Sequence, residues 1–458
     1  MTPHRSRRRP RGLPPRILSL PLLLIAVAIL GLLLSGQGGR LVHDLSRIFG
    51  DSAEMDNDAA PEIAASPTAG LSEITAWSTT HSYQRGDIVK YHGRKWKAQT
   101  SIEAGHAPLG IGDGSAQERR LLLSSREGFA RNVTGGLVPR GGTEITHVTT
   151  AADRGPGSLR RALKGDRPRW IVFDGDYRIQ LASGIKVGSN KTIDGRGRDV
   201  LVQAPDNVDD NNWGLRIYDE SNIIVHNIRI DKCGNYRKQV EDDQNDCIDI
   251  IGARNIWIDH VSLSQAADKL ISITGGSRNI TVSWTHFSEN VTEEFDQQVL
   301  QIGTGFFGET LESTSTVTVH HNFFDDTGER HPVVSYGKAH AYNNYVYSFR
   351  WLGMGSQREA QLVAEGNIFE NTEDFEKEAT KFDVGDGCNN GICDNRDGYI
   401  RLKDNIAINA RLLANRPELV FEPSSFYSYE LDEPNDALQT LLVDYSGWQP
   451  IEWNPCCD

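Results

Sequence analysis

The chain lacks a basic excess. Its 458 residues carry 48 Lys and Arg against 62 Asp and Glu, a net charge of −14. That balance argues against general nucleic-acid binding, which needs a basic surface. It still permits an acidic ligand, because a bound cation can bridge two anions. Helical periodicity is scarce as well. Between residues 223 and 408 no helix-period stretch exceeds about two turns, so nothing there reads as a helical domain. Cysteines number only six: Cys233, Cys247, Cys388, Cys393, Cys456 and Cys457. No histidine stands at zinc-like spacing near Cys388 and Cys393, which weakens a metal reading of that pair. Long uncharged runs are absent but for one, "ILSLPLLLIAVAILGLLL", from Ile17 to Leu34.

That run follows the basic "RSRRRPRGLPPR". At about 18 residues it is just long enough to span a bilayer. The arginines before it would stay cytoplasmic. A cleaved signal peptide is the rival reading, although its apolar core is usually about 7 to 15 residues. On either reading the rest of the chain is exported, anchored in the cell membrane or secreted. In an oxidising compartment the even cysteine count suggests disulfides. Cys388 and Cys393, in "GDGCNNGICD", could close a Gly/Asn-rich loop.

The expected plan is a basic tail (1–16), an anchor or signal segment (17–36), a linker (37–71), a small module (72–125) and a large domain (126–458). The linker is acidic, rich in Ala and Pro, and aperiodic. In the module, "AWSTTHSYQRGDIVKYHGRKWKAQT" alternates aromatics through short strands broken by turns. Trp77, Tyr83, Gly86, Asp87, Val89, Tyr91, Gly93, Trp96 and Ala98 make it resemble chitin-binding modules of carbohydrate-binding families 5 and 12. Those modules usually follow with exposed tryptophans. Here Thr100 and Ser101 stand there, so the aromatics either bind sugar or form a mini-core.

The large domain repeats. "IIVHNIRI", "WIDHVSLS", "TVSWTHFS", "TVHHNFFD", "HAYNNYVY", "VAEGNIFE" and "RLKDNIAI" align with Asn227, Val261, Thr285, Asn322, Asn344, Asn367 and Asn405 at the fifth place. The tightest spacings are about 22 to 24 residues, the period of a solenoid. Short strands at that period predict a right-handed parallel β-helix, all-β in class. The asparagines should form an inward ladder that satisfies backbone groups at a bend. Strand alternation puts His320 and His321 on opposite faces, so they should not share a ligand.

Such a solenoid offers an outer face rather than a deep pocket, which suits a long polymer. The acidic run "EDDQNDCID", "AADKLISIT" one repeat later and Arg330 two repeats further on could converge there. Coils stack about 4.8 Å apart. Carboxylates meeting from different coils need a cation, and loosely arranged oxygen ligands favour Ca²⁺. The alternative is a solvated acidic loop.

From Gly128 onward the motifs are more specific. "HVTTAADRGPGSLRRAL", "NDCIDIIGARNIWIDHVSLS" and "HHNFFDDTGERHPVVSYGKAHAYNNY" follow one another in an order that resembles pectate lyases of polysaccharide lyase family 1. The resemblance implies a parallel β-helix and calcium-assisted β-elimination of polygalacturonate. It assigns the base to Arg330, calcium ligands to Asp246 and Asp268, and substrate contacts to Gln298, His331 and Lys338. An arginine base is awkward, since fewer than roughly one in 10⁵ would be neutral at pH 7. A nearby Ca²⁺ and the lack of a carboxylate partner would favour the neutral form. Several family positions depart. The third acidic ligand falls at Ser272 and an additional aspartate at Gln244; a lysine falls at Gln298 and a second arginine at Ser335. Lys269, Lys338 or Arg350 could compensate. The implied protein is a monomer that acts on an acidic polysaccharide outside the cytoplasm and binds no nucleic acid. The alternatives are a calcium-free lyase on methyl-esterified pectin and a non-catalytic carbohydrate-binding β-helix. The paired-aspartate pattern of polygalacturonases is missing.

Overall fold

Runs such as "IDII", "KLISIT" and "QVLQI" place a polar residue between two branched aliphatic ones. Period-2 alternation of that kind makes a strand with one apolar face. The structure, a computed structural model, describes residues 75–139, 142–205, 212–234, 245–289, 298–372, 377–382, 388–389 and 392–456. The expected membrane segment and linker lie outside them, as does Gln244. Among the described residues no helix is long and apolar enough to cross a membrane.

Three stacked sheets form the large domain. Sheet one has 9 strands, from Ile185–Lys186 to Ala410–Arg411; sheet two has 10; sheet three has 9. Every ladder within them is parallel, and successive coils contribute one strand to each sheet. Ile248–Ile251, Arg254–Asp259 and Ser262–Ala266 make one such coil. This is the expected parallel β-helix. Ile, Val, Leu and Phe fill the space between the sheets; Ile256, Ile258, Leu263 and Ile271 are fully buried. Phe287 and Phe324 stack on successive coils at 4.6 Å.

The asparagine ladder is present. Asn322 Nδ2 donates to Asn344 Oδ1 at 2.8 Å, and Asn344 Nδ2 to Asn367 Oδ1 at 2.9 Å. Asn367 Nδ2 continues to Asn405 Oδ1 at 2.9 Å. Each amide also donates to a backbone carbonyl of a neighbouring strand, such as Val282 O or Ala341 O. Asn227 does not belong to that column. His226 pairs with Asp259, which puts Asn227 level with the bend residue His260. It adopts φ 57° and exchanges hydrogen bonds with the backbone of Gln449 instead. The same bend overturns the expectation for His320 and His321. His321 has φ 53°, so strand alternation ends there and the two Nδ1 atoms lie 2.9 Å apart.

The module forms a small sheet of Thr75–Ala76, Ile88–Tyr91 and Arg94–Ala98, with a fourth strand, Trp453–Pro455, from the C-terminus. Tyr83, Val89, Trp96 and Ala98 pack with Trp453 in its core, while Trp77 and Tyr91 are only partly buried. Buried Glu118 ties the module to the coils by pairing Arg94 at 2.6 Å and Arg196 at 3.4 Å. The helix Asp436–Tyr445 is capped by Asn435 and lays Leu438 and Leu442 on Phe323, Tyr345 and Ile368 of sheet three. Among the described residues a disulfide, Cys233–Cys247, ties the end of the strand Arg229–Cys233 to the residue before Ile248. Cys388–Asn389 and Ile392–Cys393 pair as a two-stranded ribbon.

Candidate active site

Sheet one carries a polar row on its outer face. Arg216, Asp249, Ser272 and Gln301 are in register on four successive strands. Each is flanked by buried aliphatics: Leu215 and Ile217, Ile248 and Ile250, Ile271 and Ile273, Leu300 and Ile302. The buried flanks turn the residue between them outward. At the edge where these strands begin stand Asp246, Asp268, Lys269 and Gln298, with Lys269 and Gln298 in register. Arg330 lies one coil further on, where Leu300 N–H donates to its carbonyl at 2.8 Å.

Of the expected residues, Asp246, Asp268, Gln298 and Arg330 therefore gather at one patch. Asp246 Oδ1 accepts the Lys269 backbone N–H at 3.0 Å, and the Lys269 ammonium bonds Asp268. Burial holds the Asp246 carboxyl well above the usual carboxylate range; Lys269 opposes this, and Asp268 and Asp249 reinforce it. Burial also raises Asp249, although Arg216 pairs with it at 2.7 Å. For Lys269 burial favours the neutral amine, but Asp268 and Asp246 outweigh it and raise the ammonium. The Arg330 charge acts on Lys269 in the opposite sense. Hydrogen bonds join Asp246 and Asp268 to Lys269, and Asp249 stands three residues beyond Asp246, in the strand Ile248–Ile251.

Arg330 is held by two acceptors. Its Nε donates to Glu329 Oε1 at 3.0 Å and its Nη1 to Gln301 Oε1 at 2.6 Å. The expected lack of a carboxylate partner is thus corrected, because the neighbouring Glu329 folds back onto the guanidinium. Nη2 keeps no hydrogen-bond partner among the described residues. Arg330 has φ 71°, but His260, Trp284 and His321 also take positive φ at bends, so this backbone is the solenoid's ordinary turn.

Other expected contacts fall away. His331 is 0% exposed. Its Nδ1 donates to Leu352 O at 3.0 Å and its Nε2 accepts from Thr327 Oγ1 at 2.9 Å. Burial lowers its pKa to about 4. A neutral, enclosed ring pins the loop of Arg330 and cannot touch a polymer. Lys338 opens a strand of sheet two, beyond the turn at Gly337 and away from the row. Ser335 is buried and accepts a hydrogen bond from Gln357 Nε2 at 2.7 Å. Asp249, Gln301 and Glu329 were missed. The shared pattern of "IDI" and "ISI" carries the signal for Asp249, since it puts that carboxylate one coil from Ser272.

A second polar cluster lies on sheet two. Asp259 Oδ2 accepts from His226 Nδ1 and His260 Nδ1, both at 2.8 Å, and Oδ1 accepts from Ser283 Oγ at 2.5 Å. It borders a cavity of about 750 Å³ between the small sheet and the coils, lined by Trp77, Tyr91, Trp284 and Tyr445. Arg330, Asp246 and Asp268 do not line it.

Comparisons with known proteins agree with this architecture. A family model described as "Pectate lyase" matches residues 176–447. A pectate lyase of Nicotiana tabacum is 32% identical over 271 residues, covering 56% of this chain and 64% of that protein. The chain thus spans slightly less than two thirds of that relative. Putative pectate lyase 21 of Arabidopsis thaliana is 32% identical over 59% of this chain and 67% of its own length. The crystal structure of jun a 1, the major allergen from cedar pollen, superposes with a TM-score of 0.59 at 27% identity, over 74% of this chain and 97% of that one. With coil order, ladder and polar row already pointing the same way, a match across more than half its residues means that the chain belongs to the pectate lyase family.

Proposed function

We propose that the chain is a polysaccharide lyase that cleaves pectate-like polygalacturonate by β-elimination, with Arg330 as base and Ca²⁺ as cofactor. The observation that carries this reading is the meeting of Arg330 with Asp246, Asp268 and Asp249 on one outer patch of sheet one. Calcium fits the donor set. The carboxylates supply oxygen ligands only, and burial keeps Asp246 and Asp249 above their ordinary range even beside Lys269 and Arg216. Asp246 and Asp268 would hold the ion, which when bound stabilises a uronate carboxylate as a Lewis acid.

Arg330 removes the proton at C5 of the uronate. The C5–H electron pair forms the C4–C5 double bond, the C4–O bond breaks, and the departing oxygen takes up a proton. Glu329 and Gln301 orient the guanidinium through Nε and Nη1. In its neutral form the lone pair then falls on Nη2, the nitrogen without a partner among the described residues. An arginine side chain is neutral only in a tiny fraction at pH 7, so turnover should need alkaline pH.

Calcium-free action on methyl-esterified pectin is the second reading. What favours it is that Ser272, Gln298 and Ser335 are neutral while Lys269 already supplies a cation. A secreted or anchored location outside the cytoplasm is supported by the Cys233–Cys247 disulfide. The test is to incubate the full chain with de-esterified and esterified polymer, with Ca²⁺ or chelator, at alkaline pH. Absorbance of the unsaturated product should rise fastest with de-esterified polymer and Ca²⁺. Binding without double-bond formation would reduce the chain to a carbohydrate-binding protein.

A further inference from the structure

We propose that Lys269 is a tethered cation that competes with a divalent ion for the carboxylates of this site and so sets the metal affinity of the chain. The inference rests on the reading of Asp246 and Asp268 as metal-binding groups. Lys269 grips both: its backbone N–H donates to Asp246 Oδ1 at 3.0 Å and its ammonium bonds Asp268. The ammonium is largely buried, with 14% of the side chain exposed against 21% for Asp268. Its charge acts on Asp246 and Asp249 as well, and the charge of Arg330 acts on it.

Charge balance gives the consequence. Asp246, Asp249, Asp268 and Glu329 face Lys269, Arg216 and Arg330, so three of the four negative charges are already opposed before any ion arrives. A divalent ion that takes Asp246 and Asp268 must displace the ammonium from Asp268 or bind beside it. Either route weakens binding, because the attraction of Lys269 to Asp268 is lost or its repulsion of the ion is added. Register shows why a lysine is tolerated here. Lys269 stands opposite Gln298 on the next coil, so no second ammonium is stacked on it.

The test is direct binding of Ca²⁺, by calorimetry and by displacement of luminescent Tb³⁺, to the full chain without polysaccharide. Lys269→Met should bind at least about tenfold more tightly than the parent, since a like charge a few ångströms from the ion is removed. Lys269→Arg, which keeps the charge, should stay near the parent. Asp268→Asn in the Lys269→Met background should lose the gain. Equal or weaker binding by Lys269→Met would overturn the proposal, and so would no Ca²⁺ binding by either protein. Thermal melts of each variant separate altered folding from altered affinity. The lyase assay reports on the functional reading separately: no turnover with a Lys269→Met gain would sink that reading alone, and turnover with equal affinities would sink this one alone.

Discussion

Asp246 and Asp259 sit in one coil, both nearly buried, at 5% and 2% exposure. Their carboxyls are pushed in opposite directions. Burial would raise Asp259, but His260, His226 and their hydrogen bonds outweigh it and hold the carboxyl far below its usual range. Burial raises Asp246, and two further aspartates add to it. On sheet two a buried carboxylate accepts three side-chain hydrogen bonds, although His226 Nε2 and His260 Nε2 find no partner among the described residues. On sheet one the buried carboxylate faces more negative charge than its neighbours relieve. A carboxylate with its acceptors filled rigidifies a fold, whereas an unrelieved one invites a cation.

The sharpest way to break this comparison is at the base. Arg330→Ala should lower the lyase rate by about 1000-fold while leaving the thermal midpoint nearly unchanged. A variant that retains activity would remove the functional half of the contrast. Next in size, Asp259→Ala should cost about 3–5 kcal/mol in a urea melt, because two buried imidazoles and a serine lose their acceptor. Asp246→Asn should cost less than about 1 kcal/mol in the same experiment, since the amide can still accept the Lys269 N–H. Equal losses at the two positions would erase the distinction. Replacing both Cys233 and Cys247 by Ser should cost about 3 kcal/mol for a loop of this length, read as a lower unfolding midpoint. Gln298→Lys should tighten polygalacturonate binding by about tenfold through one charge-assisted contact.

Acid titration gives the smallest effect and the clearest sign. The folded pKa of Asp246 is raised, so the native state binds its proton more tightly than the unfolded chain does. Stability from this group is present below the unfolded value near 4 and declines as pH rises through the folded pKa. His331 works the other way. Its folded pKa of about 4 lies below its ordinary 6.5, so stability declines as pH falls from about 6.5 to 4. Urea melts across that range on the parent and on Asp246→Asn should separate the two slopes, with the variant steeper in its loss on acidification.

Much of the solenoid is legible in sequence. "IDI" and "ISI" mark equivalent strands, and Asn322, Asn344, Asn367 and Asn405 mark one bend, because an inward amide satisfies backbone groups on two coils. Asn227 misleads because its repeat is offset by one residue, and only the pairing of His226 with Asp259 reveals the offset. His320 and His321 mislead because the alternation rule assumes an extended backbone and His321 leaves it. At the site, Arg330, Asp246 and Asp268 can be named in advance. Glu329 folding onto Arg330 cannot, since the direction of a neighbouring side chain depends on the turn it occupies.

The order of strands, their period and the chemical types that reach the outer face were determined by sequence alone, since apolar alternation selects the buried face whatever surrounds it. Which charges touch was decided by tertiary structure. Coil stacking brings Asp246 and Asp249 to the Asp268–Lys269 pair and lays Leu352 and Gly353 on His331, because those neighbours come from other coils of the chain.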